Sequence, residues 1–340
     1  MSNTIFFDAA STGHHGEFFE NLICALPPHI QGSCLIVAHP DLRDRLVSLR
    51  EVRKTKVKLA FFSDEEVSFL EEAEGIIQIG GRQLELLSNY VVSNRCERVV
   101  LMHMNLHQYA LHAWRLPPDV EIAGILLNPY TPRSRAFGLR AQLFALLTGI
   151  RKRIQFTLLL RNQAISRIFL LNDEPMAKQL NRWYSRRPVF DSIPDPLPSR
   201  SPFIESKLKD DHVRPFTFLL AGSLAPRKGC LETLEAIAHA SKRLARPLRL
   251  RIMGRFRDEA SAYRDRVMCA LHRLQVELAP SHMRVEIEDG FIDNKSLSRA
   301  FAESDCVLAP YLEFYGSSGM IGHACRYQKP LLACRDGLLG

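Results

Sequence analysis

The sequence lacks a long hydrophobic run: no stretch of about 18 apolar residues occurs in its 340 residues. Its first residues also lack the basic segment, apolar core and small-residue cleavage site of a secretory signal. None of its eight cysteines forms a CxxC pair, which excludes common redox and zinc spacings. We therefore expect a cytoplasmic protein that neither crosses a membrane nor is secreted.

Glycine and proline, at 18 and 19 residues, are not enriched, and no low-complexity tract occurs, which excludes collagen-like and disordered chains. With 46% hydrophobic and 24% charged residues, the composition is typical of a globular protein. The length favours two domains, since one domain usually takes roughly 100 to 200 residues. Cys34, Cys96 and Cys306 lie in apolar, strand-like runs, where we expect small buried side chains in a reducing compartment.

Charge is unevenly distributed along the chain. Lys and Arg outnumber Asp and Glu by 45 to 37, giving a net charge of +8, which favours anionic partners. Residues 130–187 contain twelve basic and two acidic side chains, a local net charge of +10. This stretch predicts either amphipathic helices that dock on an anionic membrane surface or an ordinary helical face packed on its own sheet. No nucleic-acid-binding module is present, so nucleic acid is not an expected partner.

Short apolar runs alternate with amphipathic segments, which predicts βαβ units and parallel sheets. The α/β fold class follows, with two Rossmann-like domains. We predict domains at 1–187 and 216–340, joined by a linker at 188–215 that holds six prolines. The predicted strands lie at 3–9, 33–39, 57–62, 98–104, 121–127, 167–173, 216–222, 248–254, 283–290, 305–311 and 329–337. The predicted helices lie at 17–26, on either side of the strand within 133–181, and at 230–245, 261–278 and 295–304.

Three turns after predicted strands carry candidate ligand-binding residues, because ligands of parallel sheets bind at the carboxyl ends of strands. Glycines at such turns allow close backbone approach, and helix N-termini offer N–H groups to anions. The first turn, at 12–17, lacks GxGxxG spacing and is either a binding loop or a plain tight turn; its candidates are Gly13, His14, His15 and Gly16.

The second turn, at 221–229, joins two cations to a helix start, a combination suited to a diphosphate, although an exposed basic turn would look alike. The third, at 310–324, offers small hydroxyl residues and glycines for phosphate oxygens, or else a simple capping turn. Together they provide the candidates Gly222, Ser223, Arg227, Lys228, Tyr315, Ser317, Ser318, Gly319 and His323.

The order and spacing of these motifs resemble the nucleotide-sugar half of the GT-B glycosyltransferases, most closely family 4 (glycosyl transferases group 1). The resemblance covers 216–340 through G-S-L-x-P-R-K-G, L-R-I-x-G, E-D-G-F-I, S-D-C-V-L-A-P-Y and S-S-G-M-I-G-H-A-x-x-Y-x-K-P-L-L-A. It implies two domains facing across a cleft. It also implies sugar transfer from a nucleotide diphosphate donor to an unknown glycan, lipid-linked or small-molecule acceptor, with retention and without a metal or other cofactor.

The resemblance also assigns residues. Lys228 matches the lysine that holds the donor diphosphate, while Ser223 stands where many members have a second arginine, so Arg227 is the candidate for that charge. His323 occupies the place of the second Glu of the family's E-x7-E motif, which binds the ribose. The first Glu aligns with Tyr315 without a gap, or with Glu313 after a two-residue insertion.

The catalytic candidates are His103, Lys228 and Glu313. His103 ends a predicted strand in the acceptor-side half, where the family places a histidine or acidic residue near the transferred sugar; a structural histidine is the alternative. The departures at Ser223 and His323, and a second domain that looks incomplete at Gly340, favour a rival hypothesis. In that hypothesis the chain binds a nucleotide or a membrane without catalysis.

Overall fold

The chain forms two units, Met1–Ser199 and Arg200–Gly340, each with its own parallel sheet. Its structure, a computed structural model, describes residues 3–11, 15–26, 33–49, 52, 57–127, 139–195, 214–244, 246–256, 261–277, 283–312 and 318–335.

The N-terminal sheet has seven parallel strands within those residues, in the order β3-β2-β1-β4-β5-β6-β7. Strands covered on both faces are apolar throughout, and every residue of β2 is buried. The strands are β1 (Thr4–Asp8), β2 (Cys34–Ala38), β3 (Val57–Phe61), β4 (Arg98–Leu101), β5 (Glu121–Leu126), β6 (Ile165–Leu171) and β7 (Phe190–Ile193).

Helices occupy the connections of this unit. Two of them, α3 and α4, fill the link between β3 and β4, where the sequence analysis assigned nothing. A capping box starts α3: the Ser63 hydroxyl accepts the Glu66 N–H at 3.2 Å, and the Glu66 carboxylate accepts the Ser63 N–H at 2.9 Å. The helices are α1 (His15–Ala25), α2 (Arg43–Val47), α3 (Asp64–Glu71), α4 (Gly75–Ser93), α5 (Leu139–Leu159) and α6 (Glu174–Trp183).

Hydrophobic clusters cover both faces of the N-terminal sheet, because successive side chains of a strand point to opposite sides. Ile5 and Phe7 of β1 belong to one cluster together with Leu84 of α4. Phe6, between them, packs against the cluster that contains Phe19 of α1. The predicted burial of Cys34, Cys96 and Cys306 is confirmed.

The predicted linker begins with a strand that the sequence analysis missed. β7 pairs in parallel with β6, with Ile168 opposite Phe190, so the first residues of 188–215 belong to the N-terminal sheet. Phe190 is buried, whereas Asp191 is exposed. Backbone pairing and one buried aromatic ring therefore hold this four-residue strand in the sheet.

The C-terminal sheet has five parallel strands within the described residues, in the order β10-β9-β8-β11-β12. The strands are β8 (Phe216–Ala221), β9 (Leu248–Gly254), β10 (Met283–Asp289), β11 (Cys306–Ala309) and β12 (Leu331–Ala333). The helices are α7 (Cys230–Ser241), α8 (Ser261–Glu277), α9 (Asn294–Glu303) and α10 (Gly319–Arg326).

The strand order reverses once in each sheet, between β1 and β4 and between β8 and β11. At such a reversal the two neighbouring connections leave toward opposite faces, and a crevice opens at the carboxyl ends of the strands. Both crevices lie where the sequence analysis placed its candidate turns. The α/β class with two Rossmann-like units is confirmed.

Candidate functional site

The turn after β8 contains two positions with a positive φ, a backbone conformation that glycine adopts more easily than other residues. Gly222 has a φ of 111° and Gly229 a φ of 70°. Between them, Pro226–Lys228 form one turn of 3-10 helix, closed by the Lys228 N–H donating to the Ala225 carbonyl at 2.8 Å. α7 begins directly after Gly229.

Backbone contacts join this turn to the loop after β11. A Cβ at Gly229 would lie 2.4 Å from the Pro310 carbonyl oxygen, so a side chain there is excluded. The Leu312 N–H donates to the Arg227 carbonyl at 2.8 Å. The cationic turn and the loop that leads to the serine-glycine turn therefore lie side by side at the reversal between β8 and β11.

Lys228 is the buried cation of this turn, with 8% of its surface exposed. Its Nζ lies 3.5 Å from the centroid of the Tyr311 ring, a cation–π contact. Burial, and then the charge of Arg227, lower the pKa of Lys228 to about 7. A buried amine that is readily neutralised is poised to regain its proton beside an anion.

Tyr311 connects Lys228 to the start of α10. Its hydroxyl lies 3.1 Å from the Ser318 hydroxyl, and both side chains are buried. Ser318 is the N-cap of α10 and accepts the Met320 N–H at 3.4 Å. Burial raises the pKa of the Tyr311 phenol, which keeps it a neutral hydrogen-bonding group. The structure thus brings the predicted Lys228 and Ser318 together through Tyr311, a residue to which the sequence analysis gave no role.

The remaining donor-side candidates differ in placement. Arg227 and Gly222 are exposed, Ser223 is half-buried, and Gly319 is the first residue of α10. His323 lies one turn further along α10, its ring stacked on Phe301 with centroids 5.1 Å apart. Outside the described residues are Glu313, Tyr315 and Ser317.

A pocket of about 540 Å³ opens at the carboxyl ends of β9 and β10. Its walls include the aromatic rings of Phe256 and Phe291 and the ion pair between Arg264 and Asp289, whose Nε and Oδ2 are 2.7 Å apart. The pocket lies on the β9 side of the β8 turn: a Cβ at Gly254, the last residue of β9, would lie only 1.8 Å from the Gly222 carbonyl oxygen.

The crevice of the N-terminal sheet contains a cluster of imidazoles beside a carboxylate. Asp8, the last residue of β1, is 4% exposed, and its Oδ2 lies 2.6 Å from Nδ1 of His15. The His15 ring lies 5.1 Å from the His103 ring, centroid to centroid. His103 and His15 are thus brought together, whereas Gly13 and His14 lie outside the described residues.

Burial lowers the pKa of His103, against the opposing charge of Asp8. Burial also lowers the pKa of the enclosed His107 to about 4, so both imidazoles are neutral at physiological pH. The sequence analysis missed Asp8; its position as the last residue of a central strand was the available signal. Gly16 packs against Arg45, whose guanidinium would lie 2.8 Å from a Cβ there.

The basic stretch 130–187 contains an exposed apolar surface on α5. One side of this helix is buried, at Gln155, Phe156 and Leu159. The other side, here called the α5 stripe, is formed by side chains that are 48% to 60% exposed: Leu143, Leu146, Leu147, Ile150 and Ile154. In the described part of the chain, no helix is long and apolar enough to cross a membrane, and no three His, Cys, Asp or Glu residues form a group that could hold a metal ion.

The sequence matches no protein-family model and no curated protein. The structure is similar to HepE from Anabaena in complex with UDP and glucose, with 16% identity, a TM-score of 0.59, and coverage of 99% of this chain and 82% of that chain. A UDP-forming trehalose-phosphate synthase from Burkholderia xenovorans gives 10% identity, a TM-score of 0.66, and coverage of 99% and 85%. WaaG, a glycosyltransferase involved in lipopolysaccharide biosynthesis, gives 13% identity, a TM-score of 0.53, and coverage of 97% of this chain and 80% of that chain. The predicted GT-B fold is confirmed.

Proposed function

We propose that the chain is a family 4-like glycosyltransferase that moves a sugar from a nucleotide diphosphate donor to a glycan, lipid-linked or small-molecule acceptor. One observation carries this: Lys228, Tyr311 and Ser318 converge at the reversal point of the C-terminal sheet. HepE was solved with UDP and glucose, which supports the ligand class.

In the proposed reaction, the bond between the sugar C1 and the diphosphate oxygen breaks and its electron pair leaves with the diphosphate. The acceptor oxygen bonds to C1, and its proton passes to the released diphosphate or to water. Negative charge grows on the leaving group, so fixed cations and N–H dipoles beside it lower the barrier. Lys228 and Arg227 would supply cations, and the Ser318 and Gly319 amides would supply dipoles. Retention of configuration, and independence from a metal, come from the family resemblance.

The two units then have separate roles. We assign the donor to the C-terminal unit, with the nucleoside toward the pocket of Phe256 and Phe291, the ribose at His323 and the transferred sugar at Glu313. The N-terminal unit, with its 12–17 turn, would bind the acceptor, and His103 would contact the transferred sugar.

A panel of nucleotide sugars, with donor hydrolysis and transfer as readouts, tests the proposal. We expect Lys228→Ala to reduce turnover at least a hundredfold, because it removes the buried cation beside the leaving group. Lys242→Ala, an exposed lysine at the other end of α7, is the matched control and should keep wild-type turnover. Product anomers read by NMR test retention, and activity in EDTA tests metal independence. Nucleotide binding without turnover for any donor would support the rival, non-catalytic hypothesis.

We also propose that the α5 stripe docks on an anionic membrane surface, which would bring the enzyme to a lipid-linked acceptor. α5 contains no acidic residue, and three cations follow one another at 151–153. Arg153 lies over the Trp183 ring at 5.5 Å, so an aromatic ring and a cation flank the stripe. Exposed leucines beside cations are typical of helices that lie in the interface of anionic bilayers.

Arg187 is one cation of the basic stretch that serves the fold instead. Its guanidinium donates to three backbone carbonyls of the turn between α5 and β6 and to that of Ile165, the first residue of β6, at distances from 2.7 to 3.3 Å. The docking proposal therefore excludes it.

Co-sedimentation with phosphatidylserine-containing vesicles tests the docking. We expect salt-sensitive binding that falls at least tenfold in a Leu146→Ser and Ile150→Ser double variant, since both removed side chains would enter the interface. Val276→Ser, which removes a still more exposed apolar side chain from α8 of the other unit, is the control. Equal binding of neutral vesicles, or an unchanged double variant, would contradict the proposal.

A further inference from the structure

The crevice of the N-terminal sheet holds an acid–imidazole pair whose geometry fixes a tautomer. Oδ1 of Asp8 accepts the Ala10 N–H at 3.0 Å, and Oδ2 lies 2.6 Å from Nδ1 of His15. A carboxylate only accepts hydrogen bonds, so Nδ1 of His15 must carry the proton that bridges the pair. In the neutral ring, the form tested near pH 8 below, the other nitrogen of His15, Nε2, is then a hydrogen-bond acceptor.

His103 adds a second polar group at the same place. It follows β4, the strand that pairs with β1 at the reversal, with Phe7 opposite Leu101. Its Nδ1 is buried and has no hydrogen-bond partner among the described residues. Buried nitrogens are normally paired, so an unmet one beside an oriented imidazole indicates a polar ligand.

We propose that this pair binds the attacking hydroxyl of the acceptor: His15 Nε2 accepts its hydrogen bond, and Asp8 positions the imidazole. The inference rests on the proposed glycosyl transfer and specifies its acceptor group. His15 contacts the substrate in this proposal, whereas Asp8 acts only through His15.

The other histidine at this edge of the sheet gives a matched control. His39 follows β2, one strand away from the reversal, and its Nδ1 accepts the Asp41 N–H at 3.2 Å. A backbone N–H can only donate, which favours a proton on Nε2 of His39, the opposite tautomer from His15, although Oδ2 of Asp41 lies 3.3 Å from the same Nδ1.

Nitrogen-15 NMR of the histidine rings in the full chain, near pH 8, tests the assignment without needing a donor. We expect a protonated Nδ1 and a bare Nε2 in His15, identified by its loss in His15→Gln, and the reverse in His39. Methyl glucoside, as the hydroxyl probe, should shift His15 Nε2 and leave His39 unmoved. Asp8→Asn should move the His15 proton to Nε2, because the asparagine amide can donate to Nδ1. A protonated Nε2 in wild-type His15, or equal shifts in both histidines, would overturn the inference.

An activity readout separates this inference from the function it rests on. With UDP-glucose, we expect His15→Gln to lower transfer to methyl glucoside at least tenfold and to leave donor hydrolysis within twofold, and His39→Gln to change neither. If His15→Gln leaves both donor hydrolysis and transfer to methyl glucoside unchanged, the hydroxyl site is rejected and the proposed glycosyl transfer is not. Absence of any donor turnover, with the NMR tautomers as expected, would reject glycosyl transfer and leave a hydroxyl-binding pair.

Discussion

The low pKa of Lys228 makes the proposed nucleotide binding depend on pH in a predictable direction. Burial first, then Arg227, lower that pKa from its ordinary 10.5 to about 7. A diphosphate beside Nζ favours the charged ammonium, so binding above pH 7 must take up a proton. The affinity for UDP should then fall about tenfold for each pH unit above the pKa of the free protein.

Between pH 7.5 and 9.5 this amounts to about a hundredfold loss, or about 2.7 kcal/mol, at about 1.36 kcal/mol per pH unit. In Lys228→Arg the guanidinium stays charged across this range, so its affinity should stay nearly constant. Isothermal titration calorimetry in buffers of different ionisation enthalpy measures both quantities, and we expect uptake of about one proton near pH 9 in the wild type only. Equal pH slopes in the two proteins, or no proton uptake, would refute this account of Lys228.

The same pKa has a consequence for stability. Because the pKa of Lys228 lies below its ordinary value in the folded unit, the unfolded chain binds more protons between about pH 7 and 10.5. The contribution of Lys228 to the free energy of unfolding therefore becomes more favourable as pH rises through this window. Lys228→Met should lack that contribution, which urea unfolding at pH 7 and pH 9 would show.

Two further predictions concern the fold. Gly80→Ala should destabilise the N-terminal unit by roughly 1 to 3 kcal/mol, because its Cβ would lie 2.4 Å from the Leu106 carbonyl oxygen. Gly81→Ala, with nothing within 4 Å, should instead stabilise α4 by up to about 1 kcal/mol, and thermal unfolding compares the two. Burial raises the pKa of Asp305, but the hydrogen bonds from Arg214 and the Thr217 N–H, with the charges of Arg214 and Arg246, together outweigh burial and lower the pKa below its ordinary 3.8. The charged Asp305 therefore stabilises the fold above about pH 3.8, and this contribution is lost in acid. Asp305→Asn should cost roughly 1 to 3 kcal/mol at pH 7, a difference that shrinks by pH 3 in urea titrations.

Local patterns predicted most of the sheet strands, because apolar runs bounded by turn residues depend on neighbours in the sequence. β7 escaped prediction because Phe190–Ile193 is only four residues long and begins a proline-rich segment, and pairing with β6 makes it a strand. For the site, Lys228 and Ser318 stood out by their turns. Their link through Tyr311, and the pair formed by Asp8 and His15, depend on tertiary contacts that the turn motifs do not encode.

The contact between Gly229 and the Pro310 carbonyl bears on how far relatives of this chain can diverge. The two loops are joined by main-chain atoms and the absence of one Cβ, so their contact sets no requirement on the other side chains around them. Sequence identities of 10% to 16% with proteins of the same fold agree with such freedom. A library that tests whether the pocket walls set the proposed ligand preference should therefore randomise those walls and leave position 229 untouched.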